Sequence, residues 1–236
     1  GQSGDGEAAM KHRKNELLRP EQESYLERLL PPRDPILREM EEQAREESIP
    51  ISDPEVGRLL SILARSTGAR RILEVGTAIG YGTLCLARGA AEARVVSVDI
   101  DPERLARARA FLERAGVADR VELIEGAALD VLARLEGQFD LVYVDAIKPE
   151  YRRYLDLILP KLRVGGTIIA DNLLWKGQVA APPEDGEEDE QATALRAFNG
   201  YLMMHPQLQA IVLPLGDGLG IATKTRPLMS EMGGPF

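Results

Sequence analysis

From Arg71 onward the chain alternates two textures. Short apolar runs, RILEV, ARVVSV, RVELIE, FDLVYV and GGTIIA, are separated by amphipathic stretches such as DPERLARARAFLERAG, in which Leu105, Ala108, Leu112 and Ala115 share one face at helical spacing. Nearly unbroken apolar runs predict strands buried on both sides. Their alternation with helices predicts strand-helix-strand units and a parallel sheet covered on both faces, so the predicted class is α/β. Ahead of this region a helix is predicted to start at Asp53-Pro54, with Val56, Leu59, Leu60, Leu63 and Ala64 on one face. Two further helical stretches within residues 20–48, RPEQESYLERLL and DPILREMEEQAREES, mix acids and bases around a thin apolar stripe and read as an N-terminal helical appendage. Beyond the fifth apolar run come an acidic loop, AAPPEDGEEDEQ, a helix from Ala192 to Met204, and the runs QAIVLPL and GLGIATKT joined through Gly216-Asp217-Gly218. Asp-Gly between two apolar runs predicts a hairpin, so the sheet is expected to end in an antiparallel pair.

Composition narrows the picture. The chain has 236 residues, of which 44% are hydrophobic, enough for one substantial core with appendages rather than two domains. We divide it into a small polar leader at 1–9 that carries no pattern, the helical appendage at 10–48, a main domain at 49–226 and a tail at 227–236. A formal charge of −9 argues against a protein devoted to long phosphate backbones, although a local basic patch is compatible with it. The single cysteine, Cys85, rules out an internal disulfide framework and a multi-cysteine zinc site. With no long apolar segment in the sequence, the expected setting is the cytoplasm, away from membranes.

Ligands of open α/β sheets bind beyond the carboxyl ends of the strands, and the polar residues predicted there are informative. The first strand leads into EVGTAIGYGT, whose Gly76, Gly80 and Gly82 do not follow the dinucleotide spacing G-x-G-x-x-G. The second ends in VDIDPERL. Asp101 before Pro102 is placed to cap a helix, which leaves Asp99, 23 residues beyond Gly76, without an evident structural task. An acid at about that distance suits ribose hydroxyls, hence a nucleoside-containing cofactor. The fourth strand ends in Asp145 with Lys148 three residues on, and the fifth in Asp171-Asn172. Two carboxylates and an amide at neighbouring strand ends suit a hard divalent cation, whereas Asp171-Asn172 alone would be an ordinary turn start. Trp175 either walls an acceptor site or packs. His205 reads as a helix-end residue, His12 lies in the frayed start of the N-terminal appendage, and Cys85 reads as a packed thiol.

Together the blocks ILEVGTAIGYGTLCLA, VVSVDIDPERL, RAGVADRVELIEGAALDVL, FDLVYVDAIKPEYRRY and GGTIIADNLLWKGQV resemble the divalent-cation-dependent, S-adenosylmethionine (SAM)-dependent O-methyltransferases, the catechol and caffeoyl-CoA group, in order from about Ile51 to Arg226. The resemblance implies a Rossmann-like class I methyltransferase sheet and the following roles. Glu74, Gly76 and Tyr81 would hold the methionine part of the cofactor, Asp99 its ribose, and Ile100, Ala127 and Ala128 its adenine, with Ile51, Gly82 and Thr83 also among the cofactor-binding residues. Asp145, Asp171 and Asn172 would bind Mg2+, or another divalent ion such as Mn2+ or Ca2+. Lys148, as the base, and Asp145 would be the catalytic residues, Asp145 also touching metal and cofactor, and Lys148 and Trp175 would face the acceptor. Where relatives often carry serine after Gly-Tyr, this chain has Gly82 followed by Thr83, so backbone amides are expected to take over that contact.

The N-terminal helices and the closing hairpin further resemble a bacterial branch that includes tRNA 5-hydroxyuridine methyltransferases. Two acceptors thus stay open: a small phenolic molecule, and tRNA held by residues such as Arg152, Arg153, Lys161, Lys176 and Lys224. A homodimer through the N-terminal helices is implied by the resemblance. A nicotinamide-dependent oxidoreductase is the rival class, and it leaves the three-oxygen cluster unexplained.

Overall fold

The computed structural model describes residues 19–32, 34–180 and 189–226. The polar leader, His12, most of the acidic loop and the 227–236 tail lie outside them.

The five apolar runs are strands β1 (Arg71–Val75), β2 (Arg94–Asp99), β3 (Val121–Glu125), β4 (Phe139–Val144) and β5 (Leu162–Ala170), followed by β6 (Leu208–Leu213) and β7 (Leu219–Lys224). They form one seven-stranded sheet in the order β3-β2-β1-β4-β5-β7-β6. β1 to β5 pair in parallel. The predicted hairpin forms, but β7 inserts between β5 and β6 and pairs antiparallel to both, so β7 is the strand that runs against the rest.

Period-two side-chain alternation sorts the strand residues between two layers. Ile72, Val95, Leu141 and Ile169 point to one face, where α2 (Pro35–Glu46), α3 (Pro54–Ser66), α4 (Tyr81–Gly89) and α5 (Pro102–Arg114) cover them. Leu73, Val75, Val98, Val142 and Ile168 point to the other, against α6 (Ala128–Arg134), α7 (Tyr151–Ile158) and α8 (Glu190–Met204). The charged N-terminal segment divides in two. α1 (Pro20–Leu29) buries no residue, whereas α2 inserts Met40 and Ala44 into the same core as Leu60 and Leu84. No helix among the described residues is long and apolar enough to cross a membrane.

Strand order reverses between β1 and β4, since β1 connects outward to β2 while β4 lies on its other side. At such a switch point the flanking loops part, and a crevice opens at the strand tips.

Candidate functional site

That crevice is a cleft of about 800 Å³. The turn on its β1 side starts at Gly76, whose φ is 101°, and closes at Gly80, whose φ of 89° makes it the residue from which α4 departs. Gly76 is confined by packing as well as by torsion: a Cβ there would stand 2.0 Å from the carbonyl oxygen of Asp145. The tips of β1 and β4 therefore touch, bringing a glycine turn and an acidic strand end into one wall.

Glu74 is a deeply buried ionisable group of the cleft. Its side chain is 1% exposed, and Oε2 accepts from the Ser97 hydroxyl at 2.5 Å and from the Thr83 hydroxyl, while Oε1 has no hydrogen-bond partner among the described residues. Burial pushes its pKa up from 4.5 to about 8, against the lowering effect of the two hydroxyls. A buried acceptor left bare is costly, and it fits a ligand that brings a cationic donor, such as the ammonium of an amino acid. Gly82 stands beside it because any Cβ at that position would lie 2.4 Å from Oε1. Thr83 departs from expectation. It is fully buried, spends its hydroxyl on Glu74 and does not line the cleft, so it stands one layer behind the cofactor wall.

Asp99 lines the cleft, but it does have a structural task. Oδ2 accepts from the Ala78 amide at 2.8 Å and Oδ1 from the Asp101 amide at 3.0 Å. Ala78 sits at φ 46°, a left-handed conformation unfavourable for alanine, and the carboxylate anchors that strained turn. Each oxygen keeps a further lone pair for ribose hydroxyls. Asp101 caps α5 as expected, accepting from the amides of Glu103 and Arg104. Ile51, Tyr81, Ile100, Ala127 and Ala128 also line the cleft.

On the opposite wall, the ladder from β1 through β4 to β5 continues one step past the strands: the Asp145 amide donates to Val75 O at 2.8 Å and the Asp171 amide to Val144 O at 2.9 Å. This backbone register sets Asp145 and Asp171 side by side. Asp171 is 3% exposed; burial first and the Asp145 charge second push its carboxyl well above the ordinary range. Its Oδ2 accepts from the Tyr143 hydroxyl at 2.8 Å and its Oδ1 from the Asn172 amide at 2.7 Å. The Tyr143 hydroxyl, having donated to Asp171, accepts in turn from Ser52 at 2.7 Å. Lys148 Nζ donates to Asp145 Oδ1 at 2.7 Å and to the Tyr151 hydroxyl at 3.0 Å. The Tyr151 hydroxyl donates in turn to Asp171 O at 3.2 Å. Asn172, Trp175 and Lys176 all have positive φ, at 62°, 45° and 53°. Three left-handed non-glycine residues in one loop mark stored strain of the kind found at ligand sites. Trp175 faces the cleft with its indole N–H fixed on Asp189 Oδ2 at 2.8 Å, at the start of α8.

Among the described residues no group of three or more His, Cys, Asp or Glu side chains assembles. A cation at the β4/β5 tips would rest on two carboxylates and one amide. That all-oxygen set fits a hard ion which keeps water or substrate ligands, and it does not fit zinc.

Sequence reasoning missed four residues here. Tyr143 and Ser52 looked like strand interior and loop, and nothing in a linear pattern tells that a strand tyrosine reaches the acid of the next strand. Asp53 was read with Pro54 as a helix start, yet it makes no side-chain cap and faces the cleft; Asp217, read as a hairpin turn, also lines it and accepts from the Lys176 amide at 2.7 Å. Of the basic residues considered for a tRNA surface, Lys224 is already engaged, donating to Leu159 O at 2.7 Å and Leu162 O at 2.9 Å. His205 ends α8, and the Cys85 thiol is packed, its pKa pushed up to about 12 by burial.

A doubly covered sheet with a glycine turn and an acid-lined cleft at its switch point is the architecture of proteins that bind a nucleoside-containing cofactor. Residues 31–225 match the O-methyltransferase family model. The chain is 37% identical over 186 residues to tricin synthase 1 of Oryza sativa subsp. japonica, covering 73% of this chain and 74% of that protein. It is 40% identical over 159 residues to catechol O-methyltransferase of Mycobacterium tuberculosis, covering 66% and 70%. Among solved structures, the O-methyltransferase from Bacillus cereus in complex with SAH superposes with a TM-score of 0.77 at 31% identity, covering 87% of this chain and 97% of that one. The O-methyltransferase TomG from Streptomyces achromogenes, in complex with SAM, gives 0.77 at 32% identity over 87% and 96%. This chain belongs to the O-methyltransferase family. It is a SAM-dependent O-methyltransferase.

Proposed function

We propose that the protein transfers a methyl group from SAM to one hydroxyl of a catechol-like acceptor, with Mg2+ held by Asp145, Asp171 and Asn172. One observation carries this reading: the β4 and β5 tips deliver those three side chains and Lys148 into the same cleft as the glycine turn and Asp99. The bare Glu74 Oε1 suits the cofactor's ammonium, and Asp99 suits its ribose. Asp145, Asp171 and Asn172 would hold the divalent cation, which would supply Lewis acidity toward a vicinal hydroxyl pair.

The residues of the chain do the rest. Asp145 and Tyr151 fix Lys148 Nζ at the cleft, where in its amine form it takes the proton of the acceptor hydroxyl. The acceptor oxygen attacks the sulfonium methyl carbon; the new O–C bond forms as the C–S bond breaks, leaving S-adenosylhomocysteine (SAH). Trp175, fixed at its N–H, walls the acceptor side, and Asp53 and Asp217 line its rim. The same reading sets the enzyme in the cytoplasm as a homodimer, with the exposed Tyr25, Leu26 and Leu29 of α1 as a surface for a second copy.

The test is methyl transfer from labelled SAM to a catechol, with and without a chelator. Transfer that stops on chelation and returns with Mg2+ supports the proposal, and transfer indifferent to metal refutes the metal role. Methylation of hydroxyuridine in tRNA with none of catechol would move the acceptor to RNA.

A further inference from the structure

Tyr81 ties the cofactor turn to a helix that sequence alone sets apart from it. It opens α4 immediately after Gly80, is 2% exposed and lines the cleft, and its hydroxyl donates to Glu41 Oε1 of α2 at 2.7 Å. Its ring has little freedom to swing. Gly57 of α3 lies against it so closely that a Cβ there would be 2.9 Å from Tyr81 Cε1. α2 in turn is strapped across the helical layer. Asp34 pairs with Arg88 of α4, Glu39 pairs with Arg114 of α5 through contacts of 2.8 and 2.6 Å, and Glu47 pairs with Arg107 at 2.7 Å. Of these polar links to α4 and α5, the Glu41 link alone ends on a residue that lines the cleft.

We infer that Glu41 is a positioning residue for the cofactor: through the Tyr81 hydroxyl it fixes the ring that walls the turn, so that docking of α2 and binding of SAM are thermodynamically coupled. The inference rests on the cofactor's methionine end lying at the glycine turn. The physical argument is linkage. If a docked α2 holds the Tyr81 ring where the cofactor needs it, the bound cofactor must by the same free energy hold α2 in place. Two rigid partners support the latch, the Gly57 backbone behind the ring and the buried Met40 and Ala44 that seat α2. The link is a short hydrogen bond from a hydroxyl to a carboxyl oxygen, so removing either partner should be felt.

The experiment measures SAH affinity by calorimetry and backbone amide exchange across residues 38–46, with and without SAH, in the full-length protein. Glu41→Gln and Tyr81→Phe are each expected to weaken SAH about 5- to 20-fold, in the range of ordinary coupling energies. The double variant should lose no more than the stronger single one, because both cut the same link. Glu39→Gln, which breaks an ion pair of the same helix away from the cleft, should leave SAH affinity within about twofold. SAH should slow exchange in α2 of the wild type and cease to do so in Tyr81→Phe. Unchanged SAH affinity in both single variants overturns the inference, as does an equal loss in Glu39→Gln, which would make the effect one of helix docking in general. Failure of the wild type to bind SAH would instead remove the cofactor placement, a distinct result from loss of the latch.

Discussion

Replacing Glu74 by Gln tests the electrostatics of the cleft without changing its shape. In the free protein the carboxyl is buried, half-satisfied and shifted from 4.5 to about 8 by desolvation. Because the folded-state pKa lies above the unfolded one, the contribution to stability is fully present below about pH 4.5 and is lost as pH rises through about 8. At about 1.4 kcal/mol per pH unit, that window corresponds to a loss on the order of 3–5 kcal/mol. Glutamine keeps an oxygen for the Ser97 and Thr83 hydroxyls but has no proton to lose. Denaturant unfolding of the two free proteins at pH 5.5 and 8.5 should therefore show the Glu74→Gln variant gaining on wild type by several kcal/mol between the two conditions, and other titrating groups cancel in the difference. Calorimetry adds a second reading. If the cofactor ammonium meets the carboxylate, binding of SAH at pH 7 should release close to one proton in wild type and fewer in the variant, with weaker binding. A stability difference that stays constant with pH would refute the buried-acid argument.

Three further perturbations address other parts of the cleft. Tyr143→Phe strands Asp171 Oδ2 and the Ser52 hydroxyl, so unfolding should show a loss of about 1–3 kcal/mol, and Mg2+ titration should show affinity about 10- to 100-fold weaker. Gly76→Ala forces a Cβ into the Asp145 carbonyl at a positive φ and should cost about 3 kcal/mol or more, seen as a large fall in Tm. Lys148→Met should lower kcat for methyl transfer by about 10²- to 10⁴-fold while SAH affinity stays near wild type.

The strands and the helix starts were readable because their signals are local. RILEV coincides with β1 residue for residue, and Asp101-Pro102 begins α5 with the cap its sequence predicts. The strand-tip acids were readable too, since an apolar run ending in a carboxylate needs no tertiary information. What escaped depends on neighbours distant in sequence. Asp99 appeared free because its partner Ala78 lies 21 residues back in a turn whose strain no pattern reveals. Thr83 was counted among the cofactor residues from the resemblance alone, and no linear pattern shows that Glu74 claims its hydroxyl. The hairpin was legible, but its insertion with β7 against β5 is a matter of sheet order that hydrophobic alternation leaves undetermined. α2 read as part of a helical appendage with a thin apolar stripe, and its burial rests on Met40 and Ala44 meeting a core built by later segments.

The central claim is that the β4 and β5 tips hold one divalent ion beside the cofactor. Its most direct test is anomalous diffraction from crystals grown with Mn2+, SAH and a catechol. The account predicts a single strong peak within about 2.3 Å of oxygens from Asp145, Asp171 and Asn172, with the catechol oxygens completing the shell. An SAH-bound, catechol-bound structure with no ion at those three side chains would contradict it.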